Sequence, residues 1–147
     1  MAYDPTIPAL NNYIGDDIPK IMANFAELAG SRIVEMGSNA NGTYVRWENG
    51  LQVCWHQANE GVQSFSQSGA LYTVGGTSPQ DFVWTYPAAF AQTPIATGSF
   101  YRPGGDEFDG FVSIRTLGAE SMLYRYYSVI GGNWTTRSLL MAIGRWK

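Results

Sequence analysis

The run T-Y-V-R-W-E-N-G-L-Q-V-C-W-H, from Thr43 to His56, constrains the fold more than any other stretch of the chain. Two segments rich in β-branched and aromatic residues flank Asn49-Gly50, a pair that tolerates positive φ, so the run reads as a β-hairpin. A two-residue loop at 49 and 50 pairs Glu48 with Leu51. It mixes Tyr44, Arg46 and Glu48 with Leu51, Val53 and Trp55 on one face. A three-residue loop at 48–50, with Gly50 in the left-handed position, pairs Trp47 with Leu51 instead. Thr43, Val45, Trp47, Leu51, Val53 and Trp55 then share one face, and Tyr44, Arg46, Gln52, Cys54 and His56 the other. The second register separates apolar from polar residues far better and is the one expected. Its apolar face has to be covered, by the remaining strands or by a partner chain, because a lone hairpin is marginal in water.

The rest of the chain repeats this strand-and-turn grammar after one helix. Residues 1–16 read as an irregular arm punctuated by Pro5, Pro8 and Gly15. Asp16 or Asp17 then caps a helix with Pro19 in its first turn, and Gly30 closes it. Ile18, Ile21, Phe25 and Leu28 recur at helical spacing and form a seam. That seam suits either packing on the chain's own domain or a short three-copy coiled coil. Strands are expected near Arg32 to Glu35, in the hairpin, and in short or edge segments around Val62 and Leu71. Others are expected over Asp81 to Tyr86, Ile95 to Tyr101, Phe111 to Arg115, Met122 to Val129 and Thr135 to Trp146. Turns are expected at Asn59-Glu60-Gly61 and Ser68-Gly69. No βαβ pattern appears, and 17 glycines with 14% aromatic residues suit many strands joined by tight turns. The fold class expected is mainly β: an antiparallel β-sandwich over residues 37–147, preceded by an arm and helix over 1–36. Charged residues make up only 14% of the chain, against about a quarter in typical domains, which suits buried intersubunit surface.

Several chemistries find little support. A net charge of −3 without a Lys/Arg block argues against a nucleic-acid surface. No apolar run reaches membrane-spanning length and no secretory signal is visible, so folding in a cytosol without membrane insertion is expected. Gly75-Gly76 and Gly131-Gly132 read as turns, since neither leads into a helix as a phosphate loop does, and no cofactor is expected. Cys54 and His56 are the sole cysteine and histidine. They stand two apart on one strand without an orienting partner, which argues against a nucleophile–base pair. Three copies of His56 gathered on a trimer axis remain a candidate anion or metal site. Asp106, Glu107 and Asp109 are candidate calcium ligands, although a solvated loop is the default reading. The chain is therefore expected not to be an enzyme. Tyr101, Arg102, Asp106, Tyr124, Tyr126 and Trp134 set rings beside planar polar groups. Such surfaces suit sugars, whose C–H faces stack on rings while hydroxyls bond to side chains. These residues are the candidate glycan contacts, with core or subunit interface as the plainer alternative.

Residues 37–56, G-S-N-A-N-G-T-Y-V-R-W-E-N-G-L-Q-V-C-W-H, resemble the start of the distal domains of phage and prophage tail fibres. Those domains carry an N-G-x-Y-V-R-[FW]-x-[ND]-G-x-Q-x-C segment. Asn41, Gly42, Tyr44, Val45, Arg46, Trp47, Asn49, Gly50, Gln52 and Cys54 match it. The run W-T-Y-P-A-A-F-A-Q-T-P at 84–94 resembles the aromatic-strand-then-proline step of the same domains and, more distantly, of H-type lectins. The resemblance implies a β-sandwich that assembles as a homotrimer and adheres to a host-surface polysaccharide or glycan. It places the protein in a virion appendage, a fibre tip or small spike assembled in the bacterial cytoplasm. The N-terminal region would attach to another virion structural protein. A purely structural trimeric knob or plug is the alternative. Subunit contacts are expected from Ile18, Ile21, Phe25 and Leu28 of the helix and from Arg46, Gln52 and His56 on the mixed face of the hairpin. No lectin site can be mapped residue by residue.

Overall fold

The structure is a computed structural model that describes residues 14–29, 32–103 and 110–147. One helix, α1 (Ile14–Ala29), precedes nine strands: β1 (Ile33–Asn39), β2 (Gly42–Trp47), β3 (Leu51–Ser68), β4 (Leu71–Val74), β5 (Phe82–Thr85), β6 (Ile95–Tyr101), β7 (Gly110–Leu117), β8 (Ser121–Ser128) and β9 (Gly132–Arg145). All their pairings are antiparallel. The helix begins at Ile14, ahead of the expected cap, so Pro19 lies inside it and cannot donate to the carbonyl of Gly15. The border expected between residues 36 and 37 falls within β1. Among the described residues no helix is long and apolar enough to cross a membrane.

The hairpin adopts the register that sorts its faces, with Val45 opposite Val53 and Arg46 opposite Gln52. Gly50 closes the turn at φ 88°, where its N–H donates to the Trp47 carbonyl at 2.9 Å. The spine of the molecule is the pairing of β3 with β9, which runs from Leu51 opposite Arg145 to Phe65 opposite Gly132. On the far edge of β3, β2 takes the first half and β4 the second. β6 takes the free edge of β9, and β8 pairs with β4, β5 and β7. One sheet thus folds over on itself. The half formed by β1, β2, β3, β9 and β6 faces the half formed by β4, β5, β8 and β7.

The expected turn at residues 59–61 is instead a β-bulge inside β3. Asn59 faces Arg137 and Gly61 faces Thr136, which leaves Glu60 as the extra residue. Gly61 takes φ 68° there, a conformation that permits the kink without ending the strand. The bulge exchanges the inward parity of β3. Gln52 and Cys54 point into the core before it, and Phe65 after it.

The core lies between the half-sheets and is aromatic: Phe65, Trp84, Tyr86, Phe90, Phe100, Tyr124 and Tyr126 pack with Met122, Leu140 and Val74. The centroid of the Tyr126 ring lies 4.7 Å from those of both Phe82 and Phe100. Each buried side chain of this size contributes roughly 1.5–3 kcal/mol through burial, and each aromatic pair about 0.5–1.5 kcal/mol more. The mixed face of the hairpin, with Gln52 and Cys54, is the one turned to this core. The apolar face is turned away from this core: Val45 on it is buried outside the core cluster, and Trp55 stays 42% exposed.

Candidate functional site

The tail-fibre-like segment forms a closed polar network rather than an open site. Arg46 projects from β2 toward Gln52 on β3, its cross-strand partner. Its Nε donates to Gln52 Oε1 at 2.7 Å, its Nη1 to Glu35 Oε2 at 2.7 Å and its Nη2 to the Ala89 carbonyl at 3.4 Å. The guanidinium carbon sits 5.3 Å from the Tyr44 ring centroid and 5.1 Å from that of Trp146. Gln52 Nε2 donates to the Ala88 carbonyl at 2.8 Å and lies 3.4 Å from Cys54 Sγ. Trp84 Nε1 donates to the Asn41 carbonyl at 2.8 Å, and Asn39 Nδ2 to the Pro87 carbonyl at 3.0 Å. The two tail-fibre-like segments, 37–56 and 84–94, therefore dock on each other. Burial pushes the Cys54 thiol up, which keeps it protonated and unreactive.

Glu35 titrates at the exposed rim of this network. The hydrogen bond from Tyr44 Oη, at 2.6 Å, and then the Arg46 guanidinium hold its carboxyl below the ordinary 4.5. A lowered folded-state value stabilises the fold fully above the unfolded value and loses that contribution as the pH falls through the folded one. Thermal melts of native protein and Glu35→Gln should thus differ at neutral pH and converge below about pH 4. A gap that stays constant down the acid limb would remove Glu35 from the network.

Three of the six candidate glycan contacts lie at the end of the β3–β9–β6 sheet. Tyr101 closes β6 opposite Arg137, and its hydroxyl accepts from Gln57 Nε2 at 2.9 Å. The next residue, Arg102, lays its guanidinium carbon 4.4 Å from the Trp134 ring centroid. Continuing the ladder register places Arg102 beside Thr136, whose buried hydroxyl has no hydrogen-bond partner among the described residues. Tyr101, Arg102 and Trp134 are all partly exposed. The structure thus brings Arg102 and Trp134 together, Trp134 sharing the strand parity of the buried Thr136 and Ser138, whereas Tyr101 and Gln57 meet on the outer face of the sheet.

It does not bring Tyr124 and Tyr126 to the surface. Both point inward from β8, where alternate residues are buried. Tyr124 Oη donates to Glu60 Oε1 at 2.9 Å, and Tyr126 Oη shares a hydrogen bond with Ser138 Oγ. Burial pushes the Tyr124 hydroxyl up to about 12 and raises that of Tyr126 as well, so both stay protonated at neutral pH. Asp106, Glu107 and Asp109 lie outside the described residues. Among the described residues no three His, Cys, Asp or Glu side chains gather as a cation site.

The interface candidates take varied positions. Gln52 has no exposed surface, and Arg46 is spent within the chain. His56 lies on the inner face, its ring nearly parallel to that of Trp84 at 6.4 Å. Ile18 and Phe25 are exposed on α1 and Ile21 partly so, whereas the side chain of Leu28 lies outside the described residues. Sequence reasoning missed Gln57 and Glu60. The exchange of inward parity along β3 is the signal that points to Glu60.

No protein-family model and no curated protein sequence matches the chain. Solved structures do. A P. aeruginosa R1 pyocin fibre comprising C-terminal residues 323–701 aligns over 90% of this chain at 19% identity and TM-score 0.58, and this chain spans 32% of that one. An N-truncated R1-type pyocin tail fibre aligns over 84% of this chain and 94% of its own, at 19% identity and TM-score 0.58. An N-truncated R2-type pyocin tail fibre aligns over 98% of this chain and 55% of its own, at 15% identity and TM-score 0.52. With two tail-fibre-like segments docked at its centre, the chain has the fold of pyocin tail fibres.

Proposed function

We propose that this protein is the receptor-binding tip of a phage-tail-like fibre or small spike. It adheres without catalysis to a host-surface glycan as a homotrimer, and its N-terminal region joins another virion structural protein. The fold shared with pyocin tail fibres supports the fibre reading. The observation that carries the glycan reading is the partly exposed Trp134 indole with the Arg102 guanidinium over it. An indole takes the C–H face of a sugar ring, and the guanidinium bonds to hydroxyl or carboxylate groups. Three such sites on one body raise a weak single-site affinity through avidity.

Glycan arrays and host-cell adsorption with the purified protein test this. Trp134→Ala should lower single-site affinity by about tenfold, equivalent to ~1.4 kcal/mol, with oligomeric state unchanged. A specific observation favours the structural knob as the second reading: the tail-fibre-like side chains are engaged within the chain. A flat array and no adsorption by an intact oligomer would decide for the knob, and turnover of a polysaccharide would decide for an enzyme.

A further inference from the structure

We infer that the outer face of β1, β2, β3, β9 and β6 seats against a second copy of this chain. This takes up the homotrimer of the proposed function, rests on that reading for its copy number, and assigns the surface. The ladder registers align one residue from each strand into a single row across the whole half-sheet: Met36, Val45, Val53, Ile143 and Ile95. Every member is aliphatic. Met36 and Ile95, at the two edges, are 66% and 77% exposed, Ile143 is exposed and Val53 partly so, while Val45 is covered. In the adjacent row Trp55 stands opposite Met141, and both are exposed. Strand alternation puts these residues outward because the opposite parity carries Gln52, Cys54, Leu140 and Ala142 into the core. An apolar patch this continuous is rare on the free surface of a monomer and marks an interface.

The occupant follows from area and from what else the chain displays. Five strands spaced ~4.8 Å apart, over the ~25 Å length of the apolar rows, give roughly 500 Å² of flat face. A contact that covers it on one copy and an equal area on the next buries about 1,000 Å² in total, the lower bound for a specific interface. The same chain displays a second apolar surface on α1, whose Ile18, Met22 and Phe25 are exposed. The helix does not cover the sheet face of its own chain, where Met36, Trp55, Met141 and Ile95 are exposed. One chain therefore displays two unlike apolar surfaces. A cyclic assembly uses unlike surfaces in this way, each copy meeting the next through a different patch until the ring closes.

Sedimentation equilibrium of the full chain, with methionine oxidation footprinting by peroxide, tests the assignment. The native protein should sediment as an oligomer in which Met36 and Met141 resist oxidation, although both are exposed on the single chain. Trp55→Glu and, separately, Met141→Glu should sediment as folded monomers with unchanged far-ultraviolet dichroism, and protection of Met36 should be lost. Val83→Glu, an exposed apolar position on the other half-sheet, should leave the oligomer intact. A monomeric native chain overturns the inference, as does an oligomer that survives both face substitutions or one whose Met36 and Met141 oxidise freely. Loss of glycan binding with these results intact counts against the binding reading and leaves the interface standing.

Discussion

Tyr126→Ala is expected to destabilise the fold by about 4–5 kcal/mol, whereas Tyr126→Phe should cost about 1 kcal/mol. Tyr126 is fully buried, with ring contacts to Phe65, Phe82, Phe100 and Tyr124. Those residues belong to β3, β5, β6 and β8, so one side chain joins both half-sheets. Truncation to Ala removes the ring and leaves a cavity that four other rings cannot fill without leaving their rotamers. Such a loss is a large share of a total stability of roughly 5–15 kcal/mol. The Phe variant keeps the packing. It frees only Ser138 Oγ, which already lies 3.4 Å from Glu60 Oε1 and can turn to it. Urea denaturation at one fixed protein concentration measures both, because assembly would otherwise add to the apparent stability. A Tyr126→Ala loss below about 2 kcal/mol would mean that the half-sheets are held together elsewhere.

The hairpin register was legible because only the pairing of Trp47 with Leu51 sorts the side chains by polarity. Which face turns inward was not legible from that sorting. The polar face is the buried one, and it is tolerated there because Arg46 and Gln52 satisfy each other and the carbonyls of Ala88 and Ala89. Those carbonyls lie 36 and 43 positions along the chain, so no local pattern announces them. The same distance effect hid the long β3. Asn59-Glu60-Gly61 has the composition of a turn, yet β9, the last strand, runs alongside it and keeps the strand going. At the candidate site, Tyr101, Arg102 and Trp134 were legible as rings and a cation near turns. Tyr124 and Tyr126 were not separable from Leu123, Arg125 and Tyr127 by composition, because both parities of β8 carry aromatic residues. The inward set is decided by what β5 and β7 bring opposite: Phe82 and Ile114 face Tyr124, and Val112 faces Tyr126.

Gln52→Leu is expected to destabilise the fold by about 3 kcal/mol, although leucine nearly matches the volume of the side chain it replaces. The side chain is fully buried, so the substitution gains no burial. It removes the acceptor of Arg46 Nε and the donor to the Ala88 carbonyl together. An orphaned carbonyl and a guanidinium that keeps its charge while losing a partner each cost about 1–3 kcal/mol. Part of the guanidinium cost is relieved by solvent and by Glu35, since the Arg46 side chain is 20% exposed. The interaction is separated from the general cost of substitution by a double-mutant cycle with Arg46→Met. In the double variant the guanidinium and the amide are both absent, and the Ala88 and Ala89 carbonyls and the more exposed Glu35 Oε2 are left without these donors. The two losses should therefore fall short of additivity by about 1–2 kcal/mol. Strict additivity would mean that the arginine and the glutamine act independently. Their mutual contact would then contribute nothing, and each would hold residues 84–94 separately, Gln52 through the Ala88 carbonyl and Arg46 through that of Ala89.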